Sequence, residues 1–567
     1  MKLVKTDIKY LLLILLTSLL TVADLFINVG RSANGDGLIH TVVPALFAKA
    51  LLQGNFPVGW IDGFANYGLP LGTISQQLTT YLTAFITIVF HNPVIGFNVV
   101  TFLAILLSSI FFYCFLRIYF LPLYSFAGIF LFSFAPYRIL NIYIRGALPE
   151  FFATVFFPLL LISLYLFIKK KNIYGLFLFI ISIFLLTLTH PFMLIIVAFL
   201  LIPYFLFLLL NEYTNLKTLI KKLITYGVIL TASGILGILI ASYYIFPLLL
   251  EIKYFYYGTS ANHLTANSFL GLTNFYLYKY PYFTKLDIFN RGFWINVGLF
   301  ESSLFILGLV YFIFNLIKNK FKNISVFDFA VLSGIILIFM MSPYSAFLYS
   351  HISILSDIQF PWRMLAAFTF IPPIILAYLL SKINIKTLVI FSVLIICLLS
   401  FPQLYGKNYT VYPTGFYTFT PQNLDAVVMN TIWTGRSEDY PIKSQKWDII
   451  EGKGKITSAS ISNSIRTYTV TAQTPIRMVD YTFYFPGWEV YVDGNSVTIQ
   501  FQNSDYRGVI TYLVPAGKHT VIVKYTDTKV RLLGKIMTIF FFALFIILFT
   551  LRNKLKKVIT NKRGKTQ

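Results

Sequence analysis

The composition of this 567-residue chain is that of a protein embedded in a membrane. Hydrophobic residues make up 57% of it and charged residues only 12%, whereas a soluble globular chain carries about 25% charged residues. The formal net charge of +24 does not indicate nucleic-acid binding, because the basic residues cluster in short loops between apolar segments, as the positive-inside rule predicts. The composition therefore excludes a soluble enzyme and a nucleic-acid partner.

Twelve apolar segments are predicted to cross the lipid bilayer. They lie at residues 8–27, 94–116, 121–135, 151–168, 174–189, 192–210, 226–250, 294–317, 327–341, 364–380, 388–401 and 533–551. A further apolar piece, residues 78–90, is short and lacks a basic flank, so we expect it to be re-entrant or interfacial. Every lysine-rich short loop then falls on one side. We therefore predict a multi-pass protein of the cell (plasma) membrane with both termini in the cytoplasm.

The loop after the first span carries an acid between two glycines, in the run 34–40. The predicted topology places Asp36 just outside the membrane, where a carboxylate could act as a general base on an acceptor hydroxyl. The alternative is that Asp36 caps the following helix, since Asp is a favoured N-cap residue; the two roles are compatible. Residues 40–53 read as an amphipathic helix lying along the membrane interface.

A second cluster lies in the predicted outer loop at residues 136–150. Its arginines, Arg138 and Arg145, lie on the side of the membrane where the positive-inside rule does not expect basic residues. A specific role would explain their position. Guanidinium groups suit phosphate because their planar fork binds two oxygens at once. The alternatives are snorkelling to lipid headgroups and an Arg–Glu ion pair. Tyr137 lies beside them, and Glu150 could be a second acid, a metal ligand or the counter-ion of Arg145.

A third cluster lies at residues 357–363, again on the predicted outer side. Arg363 stands at the start of a helix beside Gln359 and Trp362, whose ring offers a face for stacking on a sugar. His190, at the end of an earlier span, could hydrogen-bond a phosphate or a sugar hydroxyl, although a structural role is the more common one for a single histidine.

Several other classes of site are not indicated. The chain has no phosphate-binding Gly-rich loop, no nucleophile elbow and no zinc-ligand spacing, which argues against a nucleotide-driven pump. Few ionisable residues lie within the spans, so an ion-coupled transporter is disfavoured. The loop at 251–291 is aromatic and polar, with His263, Tyr276, Tyr278 and Tyr280, and could cover the site as a lid.

The segment after residue 402 changes character and is predicted to be a small all-β sandwich. Strands are predicted at 467–474, 489–492, 496–501 and 519–525, with a two-residue hairpin at Asp493-Gly494. We expect three parts: a membrane domain at 1–402, an extracytoplasmic β domain at 403–530, and a final transmembrane helix with a basic cytoplasmic tail at 531–567.

These motifs together resemble a known family. Asp36, the runs at 54–57 and 66–70, and the motifs at 136–138, 145–150, 189–191 and 359–363 resemble bacterial membrane proteins labelled 6-pyruvoyl-tetrahydropterin synthase-related. That family is similar to YfhO-like proteins and, more broadly, to GT-C glycosyltransferases. The C-terminal motifs at 484–488, 492–494 and 515–519 are similar to the extracytoplasmic end of YfhO-like chains.

The resemblance implies a GT-C-like fold and a sugar transferred from a polyprenyl-phosphate carrier to an extracytoplasmic acceptor, a cell-envelope glycan or polymer. An Asp in the first outer loop is the usual catalytic residue of GT-C enzymes, which corresponds to Asp36 here. Some members bind a divalent metal (Mg or Mn) with a further acid, for which Glu150 would be the candidate, although this chain has no Asp-x-Asp pair.

Two hypotheses of function follow. In the first, an inverting glycosyltransferase uses Asp36 as base and holds the carrier phosphate with Arg138, Arg145 and Arg363. Trp362 or a tyrosine of residues 276–280 contacts the sugar. In the second, a non-catalytic protein binds lipid phosphate or an envelope polymer and assists export with the same arginines.

Overall fold

The computed structural model describes most of the chain. The described residues are 5–63, 67–213, 215–255, 269–276, 295–319, 324–406, 408–417, 431–434 and 440–554. Helices make up the described part before residue 404, and strands make up the part from 447 to 525.

Helices of the first half build the part of the molecule that contains the first two clusters. In chain order they are α1 (Lys5–Ile27), α2 (Ile39–Leu52), α3 (Leu71–Ile74), α4 (Gln77–Phe90), α5 (Pro93–Leu116), α6 (Pro122–Ser133), α7 (Pro136–Leu140), α8 (Leu148–Ala153), α9 (Phe156–Leu164), α10 (Tyr174–Thr189), α11 (Met193–Leu210), α12 (Leu216–Ile240) and α13 (Ser242–Glu251). Two π-helical turns, Asn141–Arg145 and Tyr165–Lys169, continue α7 and α9.

The second half adds the remaining helices, and the last of them follows the strands. They are α14 (Thr273–Tyr276), α15 (Leu299–Asn319), α16 (Val326–Met341), α17 (Ala346–His351), α18 (Ser353–Ser356), α19 (Leu365–Phe368), α20 (Ile371–Ile383), α21 (Lys386–Ser400) and α22 (Lys529–Thr550). A 3₁₀ turn, Pro361–Met364, leads into α19.

The described residues hold nine helices that are long and apolar enough to cross a membrane, or up to eleven if each of two bent pairs is one span. The bends are 41° between Ser133 and Pro136 and 78° between Met341 and Pro343. With the 16-residue apolar helix α10, eleven of the twelve predicted spans correspond to these helices. The span predicted at 226–250 is divided between α12, which begins at Leu216, and α13. The chain is thus a helical membrane protein; the number of crossings and their direction stay predictions.

The helix predicted at residues 40–53 forms as α2, but it is buried on all sides along most of its length. The eight consecutive residues from Thr41 to Ala48 are all buried, because α2 packs against α4 and α5 and belongs to the same hydrophobic core as the strands. The helix itself was predicted correctly, but its location was not: α2 lies inside the protein and not along the membrane interface.

The strands form two antiparallel sheets that share one core. They are β1 (Trp447–Glu451), β2 (Gly454–Ile461), β3 (Ile465–Ala472), β4 (Ile476–Phe483), β5 (Trp488–Val492), β6 (Asn495–Val497), β7 (Val509–Val514) and β8 (Gly517–Tyr525). The sheet orders are β1-β4-β7 and β2-β3-β8-β5-β6. The predicted hairpin is confirmed, since Val492 pairs with Asn495 across Asp493 (φ 49°) and Gly494 (φ 83°), as a type I′ turn requires.

The strand region is joined to the first loop by aromatic packing and buried charge. Trp60 lies with its ring centroid 5.0 Å from that of Trp488 and 5.2 Å from that of Tyr525. Asp62 forms ion pairs with Lys446 and with the fully buried Arg466. Arg466 points into the core because alternate residues of β3 face it. The boundaries of the three predicted domains remain a prediction.

Candidate functional site

The first loop and the second cluster are held together by backbone hydrogen bonds. The amide of Gly35 donates to the carbonyl of Ile144 at 2.8 Å, and the amide of Asp36 donates to that of Arg145 at 2.5 Å. Gly146 (φ 64°) permits this approach, since a Cβ there would lie 2.6 Å from the amide nitrogen of Gly37. The glycines around Asp36 and Arg145 therefore allow two distant loops to touch.

The centre of the second cluster is a closed pair between Arg145 and Glu150. Nη1 of Arg145 donates to Oε1 of Glu150 at 2.8 Å, and Nη2 donates to Oε2 at 3.0 Å, a bidentate geometry. The Tyr137 hydroxyl also donates to Glu150, and Asn141 accepts from Arg145 at 2.7 Å. Glu150 is only 2% exposed, so its charge depends on these partners.

The third cluster reaches the same carboxylate from another direction. Nε of Arg363 lies 3.2 Å from Oε2 of Glu150, and Nη1 donates to the Ile358 carbonyl at 3.0 Å. The Trp362 ring lies under the Arg145 guanidinium, 4.7 Å from its Cζ, and stacks on Phe360. The second and third clusters thus share Glu150, and the first loop lies against the backbone of the second.

Asp36 differs from its neighbours in being open to its surroundings. Its side chain is 57% exposed, and Oδ2 lies 4.0 Å from Nη2 of Arg145. The N-cap position of α2 is occupied by Leu38, without a side-chain capping bond, so the carboxylate of Asp36 does not cap this helix. It stands at the rim of the cluster beside one guanidinium group.

Arg138 does not join the cluster. It is 1% exposed, donates to the Ser108 hydroxyl at 2.8 Å, and lies over the Phe132 ring, 3.9 Å from the centroid. Its side chain contacts α5, α6 and α8 rather than Glu150. A role in phosphate binding remains a prediction for Arg138, and these contacts do not support it.

Two histidines lie near the cluster. Burial, together with the nearby guanidinium of Arg363, lowers the pKa of His190 to about 3. Burial lowers the pKa of His40 to about 4 against the opposing effect of Asp36. Both imidazoles are therefore neutral near pH 7. His190 was predicted as a site residue, whereas His40, which lies four residues after Asp36 in the first turn of α2, was missed.

Gln359 has a strained backbone at the edge of the third cluster. Its φ is 64°, a left-handed conformation that is uncommon for residues other than glycine and is enriched at functional sites. The adjoining 3₁₀ turn carries Trp362 and Arg363. The strained residue therefore lies directly before the turn that orients Arg363 towards Glu150.

The residues present do not fit a divalent metal at Glu150. Its oxygens already face Arg145, Arg363 and the Tyr137 hydroxyl, and two neighbouring positive charges oppose a cation. Within the described ranges there is no group of three His, Cys, Asp or Glu residues that could hold a metal ion. Of the alternatives for Glu150, the counter-ion is the one these contacts support. Of the proposed lid residues, His263, Tyr278 and Tyr280 lie outside the described part.

Comparisons with known proteins give a family and a set of distant structural neighbours. Two crystal structures of the Archaeoglobus fulgidus oligosaccharyltransferase are similar to this chain. One, in complex with zinc and sulfate, has a TM-score of 0.37 and 14% identity and covers 73% of this chain and 53% of that chain. The other, in the apo form, has a TM-score of 0.38 and 14% identity and covers 71% and 56%.

The chain thus spans about half the length of those structures. No curated protein sequence matches the chain. A family model described as "6-pyruvoyl-tetrahydropterin synthase related domain; membrane protein" matches residues 77–407, more than half of the chain and two of the three clusters. The chain therefore belongs to the 6-pyruvoyl-tetrahydropterin synthase-related family of membrane proteins.

Proposed function

We propose that this protein is a membrane glycosyltransferase that moves a sugar from a polyprenyl-phosphate carrier to an extracytoplasmic acceptor, a glycan or polymer of the cell envelope. The observation that carries the proposal is the meeting of three distant loops, which places the exposed carboxylate of Asp36 beside the Arg145–Glu150–Arg363 cluster.

The charges of the cluster suit a phosphate. Arg145 and Arg363 contribute two positive charges and Glu150 one negative charge, so the cluster carries a net charge of +1 apart from Asp36. Glu150 would hold both guanidinium groups in place. Their remaining charge would stabilise the carrier phosphate as it leaves, which is electrostatic stabilisation by preorganised groups.

The reaction would be a single displacement with inversion at the anomeric carbon. Asp36 takes the proton of an acceptor hydroxyl, whose oxygen forms a bond to the anomeric carbon. The bond from that carbon to the phosphate oxygen breaks, and its electron pair leaves with the carrier phosphate. Trp362 would contact the sugar, and the neutral His190 could hydrogen-bond a sugar hydroxyl or the phosphate.

The test is turnover of a radiolabelled polyprenyl-phosphate sugar by purified protein supplied with envelope glycan as acceptor. Asp36→Asn keeps the size of the side chain but cannot accept the proton, so we expect a loss of about 10²- to 10⁴-fold. Carrier binding should be retained. Turnover by the variant equal to that of the wild type would remove Asp36 from the mechanism.

A second candidate is a non-catalytic protein that binds lipid phosphate or an envelope polymer and assists export. It relies on the same guanidinium groups around Glu150 and needs no proton acceptor at Asp36. In that case polyprenyl phosphate binds without turnover, binding is unaffected by Asp36→Asn, and Arg145→Ala abolishes it. The variant Arg145→Lys, which keeps the charge but loses the bidentate fork, separates loss of binding from loss of fold.

A further inference from the structure

The side of α4 that faces away from the protein is its apolar side. On its buried side, where it packs against α2 and α5, the helix carries Gln77, Thr79, Thr80, Thr83, Ala84 and Thr87. Its exposed residues are Phe85, Val89 and Phe90. A helix on the surface of a soluble protein has the opposite arrangement. The outward position of the apolar side is the one expected where a helix faces lipid.

Both ends of α4 lie beside the ends of long apolar helices. Leu78, in its first turn, packs against a cluster that contains Leu188 at the end of α10 and Tyr244 at the start of α13, which directly follows α12. At the other end, Phe90 lies three positions before Pro93, the first residue of α5. Both α5 and α12 are long and apolar enough to cross a membrane. A helix between such ends, with an apolar outer side, has the position of one that lies along a membrane surface.

The chain after α2 adds two large exposed side chains to this apolar surface. In the segment 52–56, Leu52 is 72% exposed and Phe56 is 77% exposed. The Phe56 ring centroid lies 5.7 Å from that of Tyr81 in α4. The Tyr81 hydroxyl accepts from the Val58 amide at 2.8 Å. These contacts hold the segment 52–56 against α4, close to the end that packs on α10 and α13.

The tip of the β2–β3 hairpin, residues 461–465, is fastened to the same segment. The backbone amide of Asn463 donates to Oε1 of Gln53 at 2.9 Å, and the Ser464 hydroxyl donates to the side-chain oxygen of Asn55. The strand region is thus hydrogen-bonded directly to the segment 52–56.

The hairpin tip carries two exposed isoleucines, Ile461 and Ile465. Because the tip is bonded to the residues next to Leu52 and Phe56, these four apolar side chains lie at one junction. Neither the segment 52–56 nor the hairpin tip contains a charged residue. A contiguous apolar surface of this kind marks a site of interaction.

We propose that the segment 52–56 and the hairpin tip together insert into the interfacial region of the lipid bilayer, beside α4. The bilayer is the partner because the apolar side of α4 connects this junction to the ends of the membrane-crossing helices. Lys49, exposed one helical turn before Leu52, supplies a positive charge at the level of the lipid headgroups. The strand region would then meet the membrane through its hairpin tip as well as through α22. The proposal does not depend on the transferase activity.

The experiment measures how often a nitroxide spin label collides with oxygen, which concentrates in lipid, and with a nickel chelate, which stays in water. The full-length protein is placed in nanodiscs of phosphatidylcholine and phosphatidylglycerol. Labels are attached through Phe56→Cys and Ile465→Cys, one at a time, in a Cys114→Ala, Cys397→Ala background. Both labels should collide mainly with oxygen and be protected from the nickel chelate. Ile547→Cys, at an exposed position of α22, gives the reference for lipid.

The matched control is Leu513→Cys, an apolar strand residue that is 48% exposed, against 49% for Ile465. It pairs with Arg477 at the other end of the strands, so its label should collide with the nickel chelate. Equal nickel collision at Phe56, Ile465 and Leu513 would overturn the proposal, since all three labels would be in water. Protection from both reagents would overturn it too, because protein, such as a second copy of this chain, would then cover the surface. A lipid signal at Phe56 alone would show that the hairpin tip does not reach the membrane, which also contradicts the proposal.

Discussion

At the scale of single residues, Glu150 is the group on which the cluster depends. It accepts from Arg145 through both oxygens, faces Arg363, and accepts from Tyr137. A buried charge with several partners is costly to remove, because its partners are then left buried and uncompensated. Glu150 is thus the residue whose loss affects all three loops at once.

Glu150→Gln should therefore destabilise the protein by about 3–5 kcal/mol, measured by denaturant unfolding in detergent. The control is Glu212→Gln, which removes a carboxylate from a more exposed pair of ion pairs with Lys169 and Lys171. We expect at most about 1 kcal/mol for the control. Equal effects of the two variants would contradict a central role for Glu150.

The two neutral histidines predict a pH dependence of stability. The folded-state pKa values of His190 and His40 are about 3 and about 4, below the ordinary value of 6.5. At pH values between the folded-state and ordinary values, the unfolded chain therefore binds more protons than the folded chain. Stability should therefore fall as the pH is lowered from about 6.5 towards 4. Each histidine contributes at most about 1.4 kcal/mol per pH unit, and less because both side chains are partly exposed.

The measurement is Tm against pH for the wild type and for His190→Gln. The variant should show a shallower fall on acidification, whereas replacement of the exposed His351 by Gln should leave the slope as it is. A slope unchanged in His190→Gln would show that the acid sensitivity arises from other groups.

At the scale of elements, the site depends on how the turn within the second cluster is built. The π-helical turn Asn141–Arg145 ends at Gly146, whose left-handed backbone lets the first loop lie against it. Inserted turns of this kind recur at functional sites because they redirect side chains. Here the turn directs Arg145 towards Glu150, while Arg138, which lies in the preceding helix α7, faces the core.

Gly146→Ala should separate the first loop from the second cluster. The added methyl group meets the amide nitrogen of Gly37 at 2.6 Å, and the left-handed φ adds strain of order 1 kcal/mol. Turnover should fall more strongly than stability, measured by transfer assay and Tm. The control is Gly494→Ala, which has a similar φ of 83° but open space around the new Cβ. Retained activity in Gly146→Ala would indicate that the contact between the loops is dispensable.

At the scale of the whole molecule, the strand region is tied to the first loop and to two helices. Asp62 and Arg466 cross the junction, as does the ring of Trp60 between Trp488 and Tyr525. Beside the same Tyr525 ring, Arg531 of α22 pairs with Glu251 of α13 at 2.9 Å. The first loop and α13 therefore hold the strand region at neighbouring points, and it is not a loosely attached appendage.

Arg466→Met should loosen this junction while keeping the volume of the side chain. Hydrogen exchange should then increase in residues 53–63 and in β3, because Asp62 and Asp480 lose a buried partner. Arg477→Met, at a more exposed pair with Glu451, is the matched control and should leave exchange in residues 53–63 unchanged. Similar exchange in both variants would show that the buried charges do not hold the junction.

The amino-acid sequence by itself determined the membrane character, the positions of the apolar helices and the Asp493-Gly494 hairpin, because these follow from local hydropathy and turn preference. It also singled out the three clusters, since arginines on the predicted outer side are unexpected. Only the tertiary structure decided which arginines share Glu150 and where α2 lies. Which arginine reaches Glu150 depends on how the bend at Pro136 and the π-helical turn orient each side chain. Where α2 lies depends on which other elements pack over it. No local pattern encodes either outcome, because Arg363 and the strands that share a core with α2 are far away in the sequence.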